Sequence, residues 1–164
     1  MSEFKGPRGS ELSSPACSMH EADDAYMGYA GRDEIIALLD ELLEAERAGA
    51  RVLLESSQDP AARALTDLLH GIQRDEAHRC AMLHRQLESL GAAPSTQVGG
   101  FYAKAMAIVD LHERLTFVNR GQGWVVRKLR EMLPRVRDDA LYAKLDEMMR
   151  SHESNIALID GMMR

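Results

Sequence analysis

The sequence predicts an all-α protein, a single four-helix bundle, and three observations carry that expectation. Apolar residues recur at intervals of three and four through four long segments, the signature of amphipathic helices. Pro60, Pro94 and Pro134 fall between those segments and not within them. The composition is 45% hydrophobic but only 5% aromatic, with many Leu, Ala and Met, which favours helix over sheet.

Taken in chain order, Ile35, Leu39, Leu42, Glu46, Gly49 and Leu53 form one stripe, so a first helix is expected from about Asp33 to Glu55. The segment SSQDPAAR then turns the chain, with Asp59 as N-cap and Pro60 at the first helical position. The second helix carries Leu65, Leu69, Ile72, Glu76, Cys80, Leu83, Leu87 and Leu90 on its inner face, and Gly91 ends it. After the loop GAAPSTQVGG, one continuous third helix is expected from Phe101 to Leu133. Its inner positions are read as Tyr102, Met106, Val109, Glu113, Phe117 and Trp124. Pro134 stops it, and Asp138 caps a fourth helix with Leu141, Leu145, Met148, His152, Ile156, Ile159 and Met163 on one face. The short first and third connections make helices 1–2 and 3–4 antiparallel hairpins. The middle loop, about ten residues long, leaves both a crossover and a simple up-down-up-down connection open.

The first eighteen residues, MSEFKGPRGSELSSPACS, read differently. They are rich in Gly, Pro and Ser, lack periodicity and look like translated cloning-vector linker, so Cys17 has no expected role. Residues 19–32 form a lead-in, and the bundle domain is assigned to 33–164. A formal charge of −6 argues against nucleic acid, which needs a basic face. No apolar run approaches the roughly 20 residues of a membrane span. Two cysteines make no disulfide framework, so a reducing, cytoplasmic setting is the default expectation. Nothing indicates an organic cofactor. The apolar circumference of the third helix makes a homodimer the expected assembly.

Each inner stripe lacks ionisable groups except near its middle. There it carries Glu46, Glu76, Glu113 and His152, one on each helix. A buried, unpaired carboxylate costs roughly several kcal/mol, so the shared centre requires something positive. Two fillings are open. One is a metal ion. The other is an ion-pair network in which Arg79 and Arg120 turn inward onto Glu76 and Glu113. Asp75, His78, His112 and Glu153 stand beside stripe positions as secondary candidates. Asn119, Arg120 and Gln122 are expected to satisfy one another and the backbone near Gly121 and Gly123, or else to form a small polar pocket beside the centre.

This pattern resembles the ferritin-like superfamily, whose di-iron members use a Glu from each of two helices and a Glu-x-x-His from each of the other two. The segments LLEAERAGARVL and LHERLTFVNRGQGW look like those of a small, functionally uncharacterised family of bacterial ferritin-like proteins. The resemblance implies metal ligation by Glu46, Glu76, Glu113 and His152, with iron, manganese or zinc as the cation. If the protein is an enzyme, it implies a metal-dependent oxidoreductase. Two ligands of the pattern are missing. Arg79 stands where the second-helix His belongs, and Met149 where the fourth-helix Glu belongs. Arginine has no lone pair to give and a thioether suits iron or manganese poorly, so a degenerate, mononuclear site is expected.

Overall fold

The computed structural model describes residues 24–164, so the expectations for residues 1–18, including Cys17, lie outside the described residues. The helices of the bundle, among the described residues, are in order α1 (Arg32–Ser56), α2 (Thr66–Ser89), α3 (Phe101–Met106), α4 (Leu111–Met132) and α5 (Asp139–Met162). Single 3-10 turns occupy Pro60–Ala62 and Leu133–Arg135. Among the described residues there is no strand. Asp59 accepts from the Ala61 N–H as a cap, but of the 3-10 turn; α2 starts only at Thr66. Gly91 closes α2 with a φ of +70°, a left-handed conformation that glycine adopts at low steric cost.

The third helix is not continuous. The chain breaks between Met106 and Leu111, and Asp110 restarts it by accepting from the Glu113 N–H at 2.8 Å. Arg114 makes the break tolerable. Its buried guanidinium takes up the freed carbonyls of Ile108 at 2.9 Å and Val109 at 3.3 Å. Backbone acceptors expelled from a helix need such partners when they lie near the core.

Cross-links between helices fix their directions. Arg32 at the start of α1 donates to the Leu90 carbonyl at the end of α2, and Ser57 meets His70 at the opposite end, 2.9 Å away. Near α4's start Arg114 donates to Ser56 at 3.4 Å, and beyond its end Arg135 meets Glu34 at 2.5 Å. Thr116, near the start of α4, donates to Met163 at the end of α5. Helices α1 and α5 therefore run up while α2 and α4 run down. The connection left open by the sequence is a crossover.

That crossover is strapped along the outer edge of α1. The Ser95 N–H donates to Asp40 at 2.8 Å and its hydroxyl to Glu44 at 2.5 Å. Arg47 donates to the carbonyls of Ser95 and Gln97, and the Tyr102 hydroxyl donates to Glu55 at 2.7 Å. Residues 40, 44, 47 and 55 share one side of α1 by helical spacing. The Tyr102 bond holds the Glu55 carboxyl below its usual range and lifts the phenol above its own.

The core forms two apolar clusters. One, toward the base, contains Leu39, Leu42, Leu83, Leu87, Leu129 and Leu145; the other, toward the top, contains Val52, Leu53, Leu69, Ile72, Leu115 and Ile159. Against the upper cluster, Phe101 of α3 lies across α4 and stacks on Phe117 with centroids 4.8 Å apart. Gly121 permits this approach, because a Cβ there would stand 2.6 Å from the Phe101 ring. Gly121→Ala is expected to push α3 off α4 and destabilise the fold by about 1–3 kcal/mol. Gly71→Ala, where a Cβ meets nothing, should stabilise it slightly. Thermal unfolding of the two variants beside the parent chain checks both.

Candidate metal centre

Between the two apolar clusters four polar side chains turn inward, one from each long helix: Glu46 of α1, Glu76 of α2, Gln122 of α4 and His152 of α5. All are at least 96% buried. Glu46 and His152 arrive by unbroken apolar spacing on α1 and α5, and Glu76 by that of α2. The Glu76 carboxylate lies against Gly49, one turn beyond Glu46, where a Cβ would stand 2.1 Å from Oε2. A glycine at 49 is therefore what lets the second-helix acid reach the first helix.

The contacts within this layer do not satisfy it. His152 Nε2 stands 2.9 Å from Glu46 Oε1, yet neither atom has a properly directed hydrogen bond. Glu46 Oε2, Glu76 Oε2 and Gln122 Nε2 also lack partners. On the other side of its ring, His152 Nδ1 faces Gln122 Oε1 at 3.4 Å. If Nδ1 carries the proton toward that oxygen, Nε2 presents its lone pair to a carboxylate. Two electron-rich atoms at 2.9 Å repel unless a proton or a cation lies between them.

Burial pushes the Glu76 pKa well above the usual carboxylate value, with the Glu46 charge and then that of Asp75 adding to the rise. Folding thus favours the protonated form. The stability this contributes is present below the unfolded value and is lost as pH rises through the folded one.

The ion-pair network, one of the two fillings left open by the sequence, is not formed. Arg79 is buried but turns to α5, donating to Glu147 at 3.3 Å rather than to Glu76, and Arg120 is exposed. Among the described residues, no Lys or Arg forms a salt bridge with Glu46 or Glu76. Glu113 is the second correction. It lies exposed in the first turn of α4, at the top of the bundle, because the break after Met106 displaces the start of that helix. The middle of α4 falls instead at Gln122, a residue that the sequence reading considered only for a polar pocket. Asn119 donates to the Ile156 carbonyl and to Asp160 and is not part of the layer. Asp75, His78 and His112 are exposed, and Glu153 accepts from Arg130 at 2.7 Å on the surface. Cys80 is packed against the lower cluster, its thiol pushed up to about 12, chiefly by burial.

A dinuclear centre does not fit these residues. Arg79 is committed to Glu147, and Met149 offers sulfur only. As the side chains stand, no group of three or more His, Cys, Asp or Glu among the described residues could hold a metal ion. The donor chemistry of Glu46, Glu76 and His152, with its orphaned buried atoms, suits at most one ion.

The fold is ferritin-like. It is similar to a crystal structure titled as ferritin-like, diiron-carboxylate proteins from Bacillus anthracis str. Ames. The identity is 16%, the match covers 81% of this chain and 97% of that one, and the TM-score is 0.73. Residues 33–161 match the model of a domain of unknown function, DUF6306, and the chain belongs to that family. No curated protein matches it significantly. No helix among the described residues is long and apolar enough to cross a membrane.

At neutral pH, metal-free Glu76→Gln is expected to unfold roughly 3–6 °C above the parent, since it removes an uncompensated buried acid worth about 1–2 kcal/mol. The advantage should shrink as pH falls toward 4.5, the ordinary value for this group. Unfolding midpoints of both proteins across that range test the assignment.

Proposed function

We propose that this protein binds one divalent transition metal at the centre of the bundle, through Glu46, Glu76 and His152 Nε2. The observation that carries the reading is the set of orphaned buried atoms on these three residues, with no Lys or Arg among the described residues pairing with either acid. An ion would be the missing partner of all three. Two oxygens and one imidazole nitrogen suit iron, manganese or zinc. The crystal structure of a diiron-carboxylate protein with this fold favours iron among them. When bound, such an ion supplies Lewis acidity and, as iron or manganese, one-electron exchange.

The chain's own residues have separate tasks. Gln122 fixes the ring of His152 by facing Nδ1, which leaves Nε2 free to ligate. Gly49 leaves room for the Glu76 carboxylate against α1. Closing the set requires Glu76 to turn from Gly49 toward the Glu46–His152 pair. The two apolar clusters keep water from the layer above and below.

The 2.9 Å contact between His152 and Glu46 favours a second reading, a metal-free bundle with a structural or binding role. In it His152 and Glu46 share a proton while Glu76 remains neutral. Metal titration separates the two. Chelator-treated, tag-free protein, titrated with Fe(II) without oxygen, Mn(II) or Zn(II), should take up one ion per chain. At a free ion concentration of about 100 times Kd, stability should rise by about 2.7 kcal/mol. Glu46→Gln and His152→Ala are expected to weaken binding at least tenfold, whereas Glu113→Gln should leave it unchanged. Absence of stoichiometric uptake, with no stabilisation by any of the three ions, would leave only the proton-sharing cluster.

A further inference from the structure

A cleft of about 340 Å³ reaches from the surface between α1 and α4 to the buried polar layer. Its walls are built from Phe101, Phe117, Val118, Trp124 and Val125, and the crossover glycines Gly99 and Gly100 line it beside them. The aromatic wall is held in place, since Phe101 is stacked on Phe117 and seated over Gly121. At its inner end the cleft meets the unpartnered atoms of Glu46, Glu76 and His152, and beside them Gln122, 96% buried, whose Nε2 amide is a hydrogen-bond donor without a partner. An amide donor beside the aromatic wall favours a ligand with an acceptor oxygen, because an occupant without one leaves the N–H unpaired.

Size and charge narrow the class. An apolar cavity of about 150 Å³ holds benzene, so this cleft has room for a substituted ring, and its volume lies within the range of small-molecule sites. The acids Glu41, Glu44 and Glu46, set against Lys104 in the same lining, disfavour an anion in the metal-free protein. We propose that the cleft is a binding site for an uncharged, single-ring aromatic molecule bearing one carbonyl-type oxygen. The ring lies against Phe101, Phe117 and Trp124, and the oxygen accepts from Gln122. The inference goes beyond metal binding and does not depend on it, since neither the walls nor the amide N–H needs an ion.

Trp124, the one tryptophan in the chain, lines the cleft and serves as the reporter. Acetophenone titrated into the full-length, metal-free protein should change its fluorescence saturably. Ethylbenzene, lacking the carbonyl, is expected to bind about tenfold more weakly, and benzoate more weakly as well. Gln122→Met should erase the preference of acetophenone over ethylbenzene. Ala45→Phe should fill the cleft and abolish binding of both, with helical circular dichroism and cooperative unfolding verifying that each variant folds. The three-ligand comparison on the parent protein stands even if a variant does not fold. No saturable signal, equal affinity for acetophenone and ethylbenzene, or tightest binding of benzoate overturns the proposal. Metal uptake without acetophenone binding removes this inference alone; acetophenone binding without metal uptake upholds it and removes the metal reading alone.

Discussion

A polar layer in the middle of an apolar core is the constraint on which the rest of this structure depends. Glu46, Glu76, Gln122 and His152 separate two clusters of Leu, Val and Ile, and several of their polar atoms meet nothing that answers them. Net stability of a domain is only about 5–15 kcal/mol, so orphaned polar atoms here matter to the whole fold. The chain is capable of satisfying a buried charge elsewhere. Arg114, equally hidden, is served by two backbone carbonyls, the Ser56 hydroxyl and the nearby Asp59 carboxylate. That contrast is what the metal proposal rests on.

The crossover makes that centre possible. With α4 running down beside α1, the middle of α4 presents Gln122 to the level of Glu46 and His152. The ladder of polar residues on α1 ties the connecting segment down by donating to its carbonyls and accepting from its N–H and hydroxyl groups. The same strap delivers Gly99 and Gly100 to the wall of the cleft and Phe101 to its place over Gly121. Connection, cleft and polar layer are thus one construction, not three.

Arg79 illustrates how a neighbour settles the fate of a buried charge. It sits one turn from Glu76 on α2, close enough in sequence to suggest a pair. Glu147 of α5 claims it instead and draws the guanidinium toward the edge of the bundle, where water reaches the acid's side chain. A half-exposed pairing costs less desolvation than one at the core. Glu76 is left without a counter-ion, and the position where a second-helix histidine would ligate is closed to metal.

What could be read in advance was the part governed by local periodicity. Unbroken helical spacing on α1, α2 and α5 gave the fold class and brought Glu46, Glu76 and His152 to inner faces, and Asp138 and Gly91 marked helix ends through their backbone chemistry. On α4 the same reasoning failed, because the break after Met106 resets the helical phase. An unbroken stripe puts Glu113 inside, whereas the restarted helix puts Gln122 there and leaves Val109 87% exposed. The break depends on Arg114 reaching carbonyls that a continuous helix would not free. The crossover and the partner of Arg79 were likewise beyond sequence. A ten-residue loop permits either connection, and a long charged side chain takes whichever partner lies within reach at the lower desolvation cost, which is decided only when the helices are packed.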